Sequence, residues 1–570
     1  MDAASLVRDI RALAEGRSDL WTSSACGVTR SQRAIPALLH RDAYSASPRQ
    51  TRVLIIAGLS AQPADVELAL ATARQYSSPD NATSSTIALS IVPCANLDGL
   101  ELRAAPGNGA GGSPESGYPP DDGYFYHQTD PEQRYLWRWI CFQAPDLVIS
   151  LAFSDTSVWE ANDAAGNLGS TLGATSMGSG DGLLQALGAD GADGLGAIPG
   201  IRLGTTVDGL RGEMERLWKT IETTTPGRSG AGAELDRRRS RSPMEVGRAL
   251  SSPYGHRLDP INYTEGVAMS GRLRLADLDD EVTSPAQEFV ALVSPYMAHD
   301  FFAYATNSGA LGALVWADEL TQATGDPRYA ALLVEAGNVY RRASEGKTAP
   351  ILRADYIVED MLHIGSVLGR AFNLTGDDKY LDVLTTFLFD AETQQESGLY
   401  WHGRNAHHHW GRGNGFAAMG LAESLTYIPE DHPDRARVLT KYVALMEAMR
   451  RHQEPSGMWR QVVDFPGTYQ EFTATSMTGY AMARGVRMGW LDEGFRDTVA
   501  LAWQGISERI EDSGKVVDAC FGSGTNADIQ YYLDRPAVSG FDDRGGSMAL
   551  WFTAEVQVLR TLSGPGLDTA

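Results

Sequence analysis

The sequence predicts a multidomain protein in which an N-terminal α/β domain precedes an all-α toroid of helical hairpins. Three observations predict it. The chain has 570 residues, more than a single core of about 300 residues accommodates. Its first part alternates short apolar runs with helix-like segments. Its second part repeats a hairpin turn, TGDPRY at 324–329 and TGDDKY at 375–380, 51 residues apart.

The N-terminal elements follow in order. Residues 1–16 read as an amphipathic helix. They lack the basic stretch, apolar block and small-residue site of a secretory leader, so a cytoplasmic location is expected, or a periplasmic or secreted one if a leader was removed. Residues 51–58 (TRVLIIAG), 85–93 (STIALSIVP) and 146–151 (DLVISL) read as buried strands. Residues 63–75 and 133–143 read as helices. Strands separated by helices indicate a parallel or mixed sheet. The Gly- and Ala-rich stretch 161–200 reads as a long loop. The low-complexity stretch 223–243 reads as a linker. The expected division is therefore a domain over 1–222, a linker over 223–255 and a toroid over 256–570.

The C-terminal part is helical and repetitive. Weaker echoes of the turn begin at Pro429 (PEDHPDRARVL) and Leu491 (LDEGFRDTVAL). An apolar helix precedes each turn and another follows it, with Asp and Pro suited to starting the second. A hairpin of about 50 residues cannot bury its apolar face alone. Closing a ring of hairpins buries the inner helices against one another. Aromatic, Gly-rich segments after the hairpins favour the closed ring over an open solenoid.

Composition excludes several functions. Asp and Glu outnumber Lys and Arg by 72 to 48, a net charge of −24, which argues against nucleic acid. The basic cluster Arg237, Arg238, Arg239 and Arg241 reads as part of the solvated linker. An anionic substrate would need a local cationic pocket in so acidic a chain. No apolar run approaches the ~20 residues that span a bilayer, so no membrane partner is expected. Cys26, Cys94, Cys141 and Cys520 lack metal-site spacing and read as buried thiols. No cofactor and no metal are expected.

Five segments carry candidate chemistry. The strongest, residues 398–416 (GLYWHGRNAHHHWGRGNGF), gathers Trp401, His402, Trp410, Arg412 and Asn414 before a helix. Aromatic faces suit sugar rings, and Arg offers a planar fork to a carboxylate. His407, His408 and His409 are consecutive and cannot comfortably share one metal; His409 is carried as a pocket residue. In the second segment, ADYIVEDMLHIGSVLGR at 354–370, Glu359 and Asp360 start an apolar helix. A carboxyl group there, among apolar neighbours, is expected to have a raised pKa and to donate a proton. The others are MAHDFFAY at 297–304 with His299 and Asp300, QEFTATSMTGY at 470–480 with Glu471 and Thr473, and FGSGTN at 521–526 followed by Tyr531 and Tyr532. Their recurrence at one end of successive hairpins marks an active-site mouth.

The TGDxxY turns, Glu359 to Met361, GLYWHG, WGRGNGF and EFTATSMTGYAMARGV occur in an order and spacing that resembles the unsaturated glucuronyl and unsaturated rhamnogalacturonyl hydrolases. The likeness covers residues 260–562. It implies an (α/α)6 barrel that removes a terminal 4,5-unsaturated uronic acid from an oligosaccharide. An Asp protonates the enol ether at C4, water adds at C5, and the hemiketal collapses. Counting from the TGD turn places Glu359 on that Asp, whereas chemical type favours Asp360, the preferred choice. Asp300 matches the second carboxylate. His402, Trp410 and Arg412 match pocket residues, and Phe416 replaces a commoner Trp. A saturated uronoside cleaved by two carboxylates is the rival substrate, with Asp300 or Glu471 as partner; a non-catalytic glycan-binding protein and a sugar epimerase are further alternatives. Homo-oligomerisation is left open.

The N-terminal part resembles a zinc carboxypeptidase fold, on the residues VLIIAGLSAQPADVELAL (53–70), SIVPCANLDG (90–99) and PDLVISLAF (145–153). Ser60, Ala61, Gln62, Pro63 and Phe153 stand where that family's metal ligands would be. An inactive module is the expectation, and an active zinc peptidase is the disfavoured alternative.

Overall fold

Short runs of Val, Ile and Leu bounded by turns form the central strands of the first of two units. The computed structural model of the protein describes residues 2–45, 50–78, 82–121, 123–189, 194–279, 282–298, 301–341 and 356–563. It divides into Met1–Ser240 with Phe465–Tyr469, and Arg241–Asp464 with Gln470–Ala570.

The first unit holds an eight-stranded sheet: β1 (Trp21–Val28), β2 (Ala34–His40), β3 (Thr51–Ala57), β4 (Ile87–Val92), β5 (Leu147–Phe153), β6 (Val158–Ala161), β7 (Thr175–Ser176) and β8 (Gly200–Thr205). The spatial order is β1-β2-β4-β3-β5-β8-β6-β7. The four central strands run parallel, while β2 pairs antiparallel to β4 and β6 antiparallel to β8. The mixed alternative is the one observed. β4 is buried along its whole length, as expected of a strand covered on both faces. The expected helices occur at Ala3–Gly16, Pro63–Tyr76 and Pro131–Gln143. The stretch 161–200 is more ordered than a long loop, carrying the helices Gly166–Thr171 and Leu183–Gly188 among its described residues.

The expected linker is corrected. Residues 223–255 contain the helices Gly230–Arg239 and Pro243–Ser251. Ser229 caps the first, accepting from Gly232 N at 3.1 Å. Ser242 and Glu245 form a reciprocal capping box on the second. The basic cluster is not a solvated run. Arg237 and Arg238 bond Glu234, Arg239 pairs with Asp236, and Arg241 donates to the Ser507 and Ile510 carbonyls. Acidic residues three and four positions upstream convert an apparently flexible composition into a paired helix.

The second unit is a closed double ring of helices. The inner helices begin at Tyr263, Ser308, Glu359, Gly411, Phe472 and Asp543. Each packs against the next, and Asp543–Ser563 returns to Tyr263–Leu278. Outer helices include Ala286–Met297, Pro327–Val339, Lys379–Asp390, Arg435–Arg451 and Phe495–Glu508. The inner helices run parallel. Gly420 lies on Met361, Gly365 on Gly420 and Ser424, and Gly369 on Tyr427, so the contacts advance together along both chains. A Cβ on Gly420 would stand 2.4 Å from the Met361 backbone, so glycine permits that approach. All six inner helices therefore present their N-termini at one end. Two short ribbons, Trp459–Arg460 with Gln470–Glu471 and Val516–Cys520 with Ala537–Gly540, lie in the connections. No helix among the described residues is long and apolar enough to cross a membrane.

Candidate active site

The mouth formed by these N-termini gathers the titratable groups. Glu359 is the first residue of Glu359–Thr375. Its Oε1 lies 3.1 Å from His402 Nε2. His402 Nδ1 in turn lies 2.8 Å from the Tyr532 hydroxyl. His402 is completely buried, while the Glu359 side chain keeps 16% of its surface. Glu359 Oε2 is buried and has no hydrogen-bonding partner among the described residues. Burial pushes the Glu359 carboxyl up, but the charge and hydrogen bond of His402, with smaller help from the helix-start N–H and His363, hold it below the usual carboxylate range. The expected upward shift is thus reversed for Glu359. The partner responsible lies 43 residues away in sequence, beyond the reach of a local reading.

Asp360 points elsewhere. It is 2% exposed, with Oδ1 3.7 Å from His363 Nδ1. His363 is one turn after Glu359 on the same helix face. Its ring lies against Tyr263 at 4.9 Å and Phe416 at 5.7 Å between centroids. Both its nitrogens are buried without a hydrogen bond to any of the described residues. Tyr263 is a further inward group. Burial raises its phenol, and the charges of Arg412, Arg544 and Glu359 all act on it.

Trp410 packs on the His402 ring at 4.4 Å, and its Nε1 has no partner among the described residues. The Arg412 guanidinium covers the Trp410 ring at 4.6 Å. Arg412 Nη1 donates to the Cys520 carbonyl, and Nη2 to that of Phe521 at 3.0 Å. The fork expected to meet a substrate carboxylate therefore anchors a loop.

Three further expected substrate contacts hold neighbouring groups of the protein in the same way. Asn414 accepts from Tyr400 N at 2.8 Å and donates to the Tyr400 and Trp410 carbonyls at 3.0 and 3.1 Å, clasping the loop it ends. Glu471 is wholly buried. Its carboxylate accepts from the backbone N–H of Thr473, Ala474 and Cys520 at 3.0, 2.5 and 2.7 Å. It caps Phe472–Arg487 and pins the neighbouring strand. The Thr473 hydroxyl donates to the same carboxylate. A carboxylate so fully occupied leaves nothing for a ligand. His299 and Asp300 lie outside the described residues.

The three consecutive histidines diverge. His407 stacks on Trp401 with centroids 3.8 Å apart, His408 Nε2 meets the Ala527 carbonyl at 2.9 Å, and His409 Nδ1 pairs with Asp464 at 2.8 Å. Among the described residues no group of three or more His, Cys, Asp or Glu side chains is placed to hold a metal. Sequence reasoning missed Tyr263, His363 and Arg544 as members of the mouth, whereas Tyr532 stood in the fifth candidate segment. His363 was discoverable from its four-residue spacing to Glu359. Arg544 shared with the other candidates a place at a helix start.

Residues 247–560 match Glycosyl Hydrolase Family 88. The chain is 27% identical over 207 residues to the unsaturated rhamnogalacturonyl hydrolase YesR of Bacillus subtilis (strain 168), a match covering 34% of this chain and 56% of that protein. It is 26% identical over 204 residues to an unsaturated 3S-rhamnoglycuronyl hydrolase of Alteromonas sp. (strain LOR), covering 35% of this chain and 40% of that protein. The chain thus spans about half the length of these curated relatives. A crystal structure of a possible member of GH105 family from Salmonella enterica subsp. enterica serovar Paratyphi A is similar at 20% identity, covering 58% of this chain and 94% of that one with a TM-score of 0.48.

Proposed function

The chain belongs to glycosyl hydrolase family 88, and from that premise we propose that it removes a terminal 4,5-unsaturated glucuronyl or galacturonyl residue from an oligosaccharide. The observation that carries the reading is the Glu359–His402 pair, with one carboxylate oxygen on the imidazole and the other without a partner among the described residues. Glu359, rather than Asp360, is assigned the acid/base role, because Asp360 is the more deeply buried and faces His363.

An anionic sugar entering the same enclosed space disfavours the ionised carboxylate, so Glu359 takes up a proton as the substrate binds. Glu359 delivers it to C4 of the enol ether, leaving an oxocarbenium at C5. The regenerated carboxylate takes a proton from water as the water oxygen bonds to C5. The hemiketal opens by breaking the bond from C5 to the ring oxygen, giving a ketone at C5. The hemiacetal left at C1 then expels the glycan alcohol. The hydrogen bond from His402 to Tyr532 orients the imidazole. The capping role of Glu471 weighs against using it as the second carboxylate for a saturated uronoside.

Mixing the protein with lyase-generated oligosaccharides and following the enol-ether absorbance band tests the reading. Loss of the band with release of a shortened glycan is expected. A stable band, together with release of glucuronate from an aryl glucuronide, would select the saturated substrate.

For the N-terminal unit we propose a carboxypeptidase-like module without its metal ligands. The mixed sheet order supports it. Asp65 also occupies the region where ligands would stand, accepting from Ser60 Oγ at 2.8 Å and Phe153 N at 2.7 Å. Stoichiometric zinc in purified protein would overturn it.

A further inference from the structure

Two guanidinium groups act on the Tyr263 phenol, those of Arg412 and Arg544. Arg412 is turned onto the Cys520 and Phe521 carbonyls. Arg544 is held differently. It is the second residue of the last inner helix, and Asp542 just before that helix accepts from its Nε at 3.2 Å and from its Nη2. Asp542 is itself 5% exposed and accepts from Gly545 N at 3.0 Å, so the carboxylate that aims the fork is fixed. Nη1 makes no hydrogen bond with any of the described residues. It lies beside Gly522, where an added Cβ would stand 3.5 Å from it and meet nothing else within 4 Å. The Arg544 side chain keeps 24% of its surface, and the exposed Phe521 ring lies 5.3 Å from the guanidinium.

We infer that Arg544 recognises the carboxylate of the terminal uronic acid and thereby sets the preference for an acidic over a neutral sugar; the inference rests on the proposed reaction. A chain of net charge −24 repels such a ligand, and the Glu359 carboxylate adds to that repulsion. Against these, the Arg412 and Arg544 guanidinium groups are the cations that act around Tyr263, opposed there by the Glu359 and Asp542 carboxylates. Asp542 engages Nε and Nη2 and fixes the plane of the fork. The remaining nitrogen offers its N–H groups to the space that Gly522 leaves clear. A charge-assisted hydrogen bond from a preorganised donor is the strong kind.

The test compares Arg544→Met and Arg544→Lys with the parent on an unsaturated disaccharide and on its methyl ester. KM and kcat are followed at the enol-ether band, and binding to Glu359→Gln and to Glu359→Gln with Arg544→Met is followed by calorimetry. The expected result is that Arg544→Met raises KM for the acid about ten- to a hundredfold, the loss of one hydrogen bond to a charged group. The ester is expected to be affected about twofold or less, with Arg544→Lys recovering part of the preference for the acid. Equal losses on acid and ester, or an unchanged KM for the acid, would overturn the assignment. If the parent consumes neither compound, the proposed reaction fails, and Arg544 is judged on binding alone. Tighter binding of acid than ester that vanishes with Arg544→Met sustains it; no such difference, or no binding, overturns it.

Discussion

At the scale of single residues, position in the chain and role in the site separate. The pair Glu359-Asp360 was legible as the start of an apolar helix, but not which member faces the mouth. That depends on His402 and Tyr532, which approach from other hairpins. Arg412, Asn414 and Glu471 have residue types suited to sugar binding, yet each satisfies backbone groups that the tight loops would otherwise leave buried and unpaired. Type and local pattern cannot distinguish a ligand contact from a loop clasp, because both require a polar side chain near glycine. The distinction predicts opposite behaviour for two neighbouring variants. Glu359→Gln is expected to lower kcat about 10²–10⁴-fold, the usual contribution of a positioned acid/base, with a smaller loss of melting temperature than Asp360→Asn shows. Asp360→Asn is expected to lower the melting temperature, with kcat kept within about tenfold of the parent. Steady-state rates and thermal unfolding of both variants check this, and the reverse pattern would return the acid role to Asp360.

At the scale of elements, the sequence was most informative where burial is continuous. The runs of β3, β4 and β5 and the helix Pro63–Tyr76 were legible because strands covered on both faces must be apolar throughout. β1 and β2 were not, because WTSSACGV mixes small and polar residues and its pairing is interrupted between Ala25 and Gly27. The helix Gly230–Arg239 was obscured by glycine and arginine, whose effects are cancelled by capping at Ser229 and acids one turn away. Within the toroid, the close pair Glu359–Thr375 and Gly411–Tyr427 depends on glycine at the crossing. Gly420→Ala is therefore expected to destabilise the toroid by about 1–3 kcal/mol through overpacking against Met361. Denaturant unfolding would show this as a lower midpoint. An unchanged midpoint would mean that the helices separate at no cost.

At the scale of the whole toroid, the mouth has a counterpart that no sequence window reveals. Each inner helix contributes a charged residue about three turns from its start: Arg274, Glu319, Arg370, Glu423, Arg484 and Glu555. They join into one buried network. Arg370 Nη1 meets Glu423 at 2.7 Å, Arg484 bridges Glu423 at 3.4 Å and Glu555 at 2.9 Å, and Arg274 meets Glu319 at 2.8 Å and the Tyr480 hydroxyl at 3.3 Å. Tyr480 donates to Glu423 at 2.5 Å. The network was illegible because each helix supplies one or two members, each looking like an isolated charge on an apolar face. Closing the ring in register brings them together, so they report on closure itself. Burial alone would raise the Glu423 carboxyl, but Arg370, then Arg484 and Arg274, overcome it and push it down to about 2. A carboxylate depressed in the folded state contributes stability that is complete above its ordinary value of 4.5 and is lost as pH falls from there toward about 2. Glu423→Gln is expected to destabilise the toroid by about 3 kcal/mol at neutral pH, because it takes from the buried Arg370 its nearer carboxylate and leaves it Asp318 at 3.4 Å. It is also expected to flatten the acid limb of stability below pH 4.5. Denaturant unfolding of parent and variant across that range measures both effects. A variant whose stability falls with acid as steeply as the parent's would show that other carboxylates govern the acid limb and that the network does not hold the ring closed.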